Sequence, residues 1–98
     1  MPDPPRELPI PNAAIDNAQS GEMLRAWIAD GGLHCSLDVD VWDDPANWGI
    51  LLADVARHVA NAKFESSSTE VSATINRIRH LFNTELDSPT DNPTGSYQ

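Results

Sequence analysis

Asp30-Gly31 lies between two apolar stretches, Met23 to Ile28 and Leu33 to Val39, and this pair constrains the chain more than any other feature. Asp-Gly suits a two-residue type I′ turn, in which both central positions need positive φ. With the turn there, Ile28 stands opposite Leu33, Ala26 opposite Cys35 and Leu24 opposite Leu37, all on one side of a ribbon. Met23, Arg25 and Trp27 fall on the other side, opposite Asp38, Ser36 and His34. A slip of one residue would send every side chain to the wrong face, so the pattern specifies its own register. The spacing predicts a β-hairpin over about 22–29 and 33–41. A helix competes for residues 20–30, since Met23, Leu24, Trp27 and Ile28 also fit a helical face with Ser20 as N-cap and Gly31 as the stop. The alternation from Leu33 to Val39 needs a strand partner, which favours the hairpin.

Two helices follow in the pattern. Asp44 is placed to cap a helix that has Pro45 at its first position. Trp48, Leu51, Leu52, Val55, Val59 and Ala62 then recur at helical spacing, predicting a helix over about 45–64. Gly49 in its first turn costs about 1 kcal/mol against alanine, which leads us to expect another backbone or the Trp42 ring close to it. Ser67-Ser68-Thr69-Glu70 reads as a capping box for a second helix over about 68–86, striped by Val71, Ile75, Ile78, Leu81, Phe82 and Leu86. The expected fold is α+β: a hairpin followed by two antiparallel helices packed on one face of the sheet. This single ββαα domain spans 21–86. A proline-rich arm (1–20) precedes it, and a polar tail (87–98), expected to be disordered, follows it. Leu8 and Ile10 are the arm's apolar residues and are candidates to lie along the domain or a partner.

Size and charge narrow the functional classes. A packed segment of roughly 65 residues is marginal for a lone core, and such domains often gain stability by association. The formal charge of −9 argues against binding nucleic acid or an anionic membrane, both of which call for basic patches. Cys35 is the one cysteine, so no internal disulfide framework is expected, in keeping with a reducing cytoplasm. The beginning, MPDPPRELPIP, lacks the apolar run of a signal peptide, and no segment approaches membrane-spanning length.

Candidate chemistry is sparse. Asp38, Asp40, Asp43 and Asp44 suggest a calcium loop, but Trp42 stands where a ligand is needed and no closing glutamate follows. Asp54 and His58 are one helical turn apart, and with Trp48 they mark the weak candidate for a ligand pocket; an Asp-His pair at this spacing is also ordinary helix electrostatics. Arg77, Arg79 and His80 form a basic cluster that reads best as a solvated face. No catalytic, cofactor-binding or metal-ligating residue is assigned, and no cofactor is expected. If helices cover the Leu24 side of the hairpin, Met23, Trp27 and His34 are left on the other side. Those three residues are the expected interface of a homodimer, with the proline-rich arm of the same chain as the alternative cover for Trp27.

The run LRAWIADGGLHCSL, followed by WDDPANWGILLADVARHVA, resembles a family of small bacterial proteins known only as a domain of unknown function. The resemblance covers residues 7 to about 86 and rests on the ADGG turn, the tryptophan of DPANWG and the LLADVARHVA helix. It implies a small cytoplasmic bacterial protein and transfers no functional residues. The expected function is a non-enzymatic protein-interaction module that self-associates through its hairpin. The alternatives are a ligand-binding protein or enzyme with a pocket near Trp48, Asp54 and His58, and an acidic binder of basic partners.

Overall fold

The computed structural model describes residues 3–90 and 94–97. The elements are α1 (Asn12–Ile15), β1 (Leu24–Ala29), β2 (Gly32–Leu37), α2 (Asn47–Ser67), α3 (Val71–Asp87) and β3 (Thr94–Tyr97). A hairpin followed by two helices, the α+β order expected from the pattern, is what the chain forms.

The competition over residues 20–30 resolves as strand. Asp30 and Gly31 adopt φ of 51° and 75°, the pair of positive values a type I′ turn requires. β1 and β2 pair antiparallel in the register set by that turn, with Leu24 opposite Leu37, Ala26 opposite Cys35, and Ile28 opposite Leu33. The Asp38 N–H donates to the Met23 carbonyl at 2.9 Å and carries the ladder one step further. The expected second strand was longer, reaching residue 41. It stops at Leu37 because the Asp38 carboxylate accepts from the Asp40 N–H at 3.2 Å, closing a local turn that takes the backbone out of the sheet.

α2 begins two residues later than expected. The Asp44 carboxylate does accept from the Ala46 N–H at 2.9 Å. However, Asn47, Trp48 and Gly49 each donate three residues back, so a tighter turn precedes the α-helix proper. The capping box at 67–70 does not form. Ser67 is the last residue of α2, its hydroxyl donating to the Lys63 carbonyl at 2.9 Å, and Ser68 ends the helix in the left-handed region at φ 58°. Glu70 occupies the N-cap position of α3 without a side-chain cap. The three-residue connection folds α3 back against α2.

One expectation is corrected: the helices do not lie on the hairpin of their own chain. Among the described residues, β1 lies against β2, β2 against β3, and α2 against α3, and no helix backbone comes within 8 Å of a strand backbone. The turns at Asp38 and Asp44 carry the chain away from the sheet before α2 starts. Of the polar tail, residues 91–93 and 98 lie outside the described residues, and Thr94–Tyr97 form β3, which pairs parallel with β2 and makes it the central strand in the order β1-β2-β3. Gly95 makes this approach possible: at φ 129° its backbone lies so close to the Cys35 carbonyl that a Cβ there would collide with it.

Candidate functional site

The hairpin presents two unlike faces. On one, Arg25 and Trp27 stand opposite Ser36 and His34, with Met23 at the end of the ladder. Met23, Trp27 and His34 are each half-buried. The Arg25 guanidinium lies over the Trp27 ring, 5.5 Å from its centroid, a cation–π geometry. Arg25 Nε is 2.8 Å from Glu22 Oε1, and Arg25 Nη1 is 3.0 Å from Glu7 Oε2. Hydrogen bonding to Glu22, and then its charge, with Glu7 adding to both effects, raises the Arg25 pKa above its ordinary value. Through Glu7 the proline-rich arm is drawn along β1, and a groove forms between Arg6–Pro11 and Met23–Trp27. Leu8 and Ile10 remain exposed, at 90% and 62%, so the arm is held by charge and not by its apolar residues.

The opposite face is barer. Ile28 is 87% exposed and its cross-strand neighbour Leu33 is 64% exposed, while Leu24, Cys35 and Leu37 are half-buried. Sequence periodicity marked this face as the core side. It identified the apolar residues correctly and misjudged what covers them.

The helical pair has the same property. Ala60 is the one fully buried hydrophobic residue among the described residues. Ala56 and Ala60 are small enough for α3 to come close, and among the described elements α3 is the one that α2 contacts. Val55 and Val59 lie one residue back, about 100° around the helix, and stay 47% and 42% exposed. Between the helices an open groove of about 410 Å³ is lined by Leu52, Ala56, Ile75, Ile78 and Phe82, with Arg57 and Arg79 among its lining residues.

The ligand-pocket candidates do not gather. Trp48 is half-buried and packs edge-on against Trp42, with ring centroids 5.5 Å apart at 87°. Asp54 and His58 are exposed on α2, and neither lines either groove. Nothing approaches Gly49 within 4 Å of where a Cβ would sit, so neither a second backbone nor the Trp42 ring explains this glycine. Asp38 and Asp44 spend their carboxylates on local turns, and no group of metal-ligating side chains is gathered among the described residues. No described helix is long and apolar enough to cross a membrane.

The chain matches the model of a family described as Domain of unknown function (DUF5076) over residues 7–90. It belongs to this family. Among solved structures, it is similar to a protein provisionally named a pyruvate dehydrogenase from the photosynthetic bacterium Rhodopseudomonas palustrus CGA009. The two are 35% identical, the match covers 93% of each chain, and the TM-score is 0.75. No curated protein matches the chain. The family match takes in the hairpin, both helices and the arm from Glu7 onward, so Glu7, Arg25 and the two bare faces all belong to the family's domain.

Proposed function

We propose that this protein is a non-enzymatic interaction module that associates with a second copy of itself, the hairpin forming part of the contact. The supporting observation is its surface. The chain exposes 8771 Å² at a mass of 10.7 kDa. A compact monomer of that mass exposes about 5,500 Å², so the excess is about 3,300 Å². The extended arm accounts for part of it. The remainder is of the order that obligate homodimers bury, about 2,000–5,000 Å² over both partners. The radius of gyration, 15.7 Å, likewise exceeds the roughly 13 Å of a compact domain of this length. Several large apolar side chains are part of that exposed surface, among them Ile28 at 87% and Leu33 at 64%. Ile28 and Leu33 are the most open part of the hairpin, and Met23, Trp27 and His34 contribute where the arm leaves them half-covered. The acidic charge and single cysteine support a cytoplasmic setting.

The dehydrogenase name belongs to the structural neighbour. Nothing in the placement of Asp54 and His58 favours carrying that activity here, because they stand exposed outside both grooves. Sedimentation of the full chain at tens of micromolar tests the proposal. A dimer is expected, and Ile28→Asp, which places a carboxylate on a hairpin residue that is 87% exposed, should shift it towards monomer. A wild-type chain that sediments as a monomer rejects the reading.

A further inference from the structure

We infer that the outer edge of β1 is a self-pairing edge kept closed by the arm: once Glu7 leaves Arg25, β1 pairs antiparallel with β1 of a second copy about a two-fold axis at Ala26. This rests on the self-association proposed above and adds its geometry.

The backbone fixes which groups face outward. β1 is an edge strand, bonded to β2 on one side. A two-residue turn makes its closing pair, Ala29 and Gly32, a hydrogen-bonded pair. The bond from the Asp38 N–H to the Met23 carbonyl marks the same kind of pair at the far end. Bonded and non-bonded pairs alternate, so Arg25 and Trp27 also spend their backbone groups on β2, and Leu24, Ala26 and Ile28 turn theirs outward. Among the described residues, no backbone group bonds that outward row. The arm passes beside it across a groove and is joined to β1 by the Glu7 carboxylate. An open row of this kind is a template for another strand.

The strand is its own complement. Antiparallel pairing centred on Ala26 sets Leu24 beside the second copy's Ile28 on one face, and Arg25 beside its Trp27 on the other. Ile28, 87% exposed, gains an apolar neighbour. Arg25 already lies over Trp27 of its own chain at 5.5 Å, so each ring comes to lie between two guanidinium groups. A shift by one pair in one direction sets Arg25 against its own copy, like charge against like. The opposite shift leaves Arg25 facing Ala29. The two-fold axis makes the contact reciprocal and closed.

The two carboxylates on Arg25 play different parts. Glu22 grips the guanidinium twice, at 2.8 and 2.9 Å, from the start of the same hairpin, and holds it with or without the arm. Glu7 reaches it once, at 3.0 Å, and brings the arm with it. An exposed ion pair contributes little, so the backbone bonds of an incoming strand can displace it.

Amide exchange on the full chain tests the pairing. In the dimer the Leu24, Ala26 and Ile28 amides should be protected. Dilution to monomer should release those three, while Arg25, Trp27 and Ala29 stay protected by β2. A dimer in which the three exchange as fast as in the monomer overturns the edge pairing and leaves self-association standing. Ala26→Pro removes an outward N–H without touching the ladder to β2, so it should drive the chain to monomer and keep the hairpin. A variant that stays dimeric with its hairpin intact overturns the pairing; should it fail to fold, the wild-type exchange pattern decides. In dimers mixed from labelled and unlabelled chains, an α-hydrogen contact between Arg25 and Trp27 of the other copy is expected. One between Trp27 and Trp27 overturns the register. Glu7→Gln, which unties the arm, should tighten dimerisation about two- to fivefold relative to Asp3→Asn, which removes the same charge elsewhere on the arm. Equal dissociation constants in the two variants overturn the closing role of the arm. A monomeric wild-type chain removes the self-association reading itself, and the edge pairing with it.

Discussion

Glu7 Oε2 lies 3.0 Å from Arg25 Nη1 across eighteen residues of sequence, and this pair draws the proline-rich arm along the edge strand β1. An exposed edge strand invites pairing with other chains, and a charged residue with a covering segment blunts that tendency. Arg25 serves both purposes, because the side chain that holds Glu7 also lies over Trp27. Arg25→Ala should therefore release the arm and uncover Trp27 with little loss of stability, since exposed ion pairs contribute little. The indole N–H resonance of Trp27 should move and exchange faster with solvent, while the thermal midpoint changes only slightly. An unmoved indole signal would show that the arm does not cover the ring.

Two glycines should respond to alanine with opposite signs. Gly31 holds φ at 75° in the hairpin turn, so Gly31→Ala should cost about 1–2 kcal/mol from backbone strain alone. Gly49 sits in the first turn of α2 with open space around it, so Gly49→Ala should stabilise by about 0.5–1 kcal/mol. Urea midpoints of the two variants measure both effects.

Ala60 is fully buried on α2, which packs against α3. Ala60→Leu should force the helices apart and cost about 1–3 kcal/mol, whereas Val59→Leu, on the open stripe next to it, should be nearly neutral in the monomer. Equal losses in the two variants would mean that α3 does not pack where Ala60 lies.

Glu85 gives a pH dependence with a definite sign. Its carboxylate accepts from the Thr90 hydroxyl and, at 2.8 Å, from the Thr90 N–H, and these bonds hold its pKa below the ordinary 4.5. A carboxyl with a depressed folded pKa contributes stability above its unfolded value and loses it as pH falls through the folded one. The link between the end of α3 and Thr90 should thus be complete above pH 4.5 and open on further acidification. Thr90→Val removes the hydroxyl donor and should raise the Glu85 titration midpoint, read from its carboxyl carbon resonance. An unchanged midpoint would assign the depression to something other than Thr90.

Legibility in the sequence followed the range of the interactions. The hairpin register was readable from Asp30-Gly31 and the alternation around it, because turn geometry and side-chain parity act over a few residues. The two helices were readable for the same reason, to within three residues at each end, the larger differences falling around Ser67, where the left-handed Ser68 replaces the expected capping box. Strand β3 was not readable: Thr94–Tyr97 lacks a strand pattern, and it pairs with β2 across more than fifty residues of chain. The candidate surface was half legible. Trp27 and His34 do share a face, but nothing local signals that Glu7 would reach Arg25 and shade that face, or that Ile28 would be left the barer.

The sequence by itself determined which side chains share a face: Leu24 with Ile28 and Leu33 on the ribbon, and Val55 with Val59 on the helix. Those groupings follow from backbone periods of two and 3.6 residues, and they hold whatever surrounds them. Only the tertiary structure decided which face meets which. That choice depends on the direction the chain takes between Leu37 and Asn47, set by two aspartate-capped turns. Those turns lead α2 away from its own hairpin, so both apolar faces are left open within one chain.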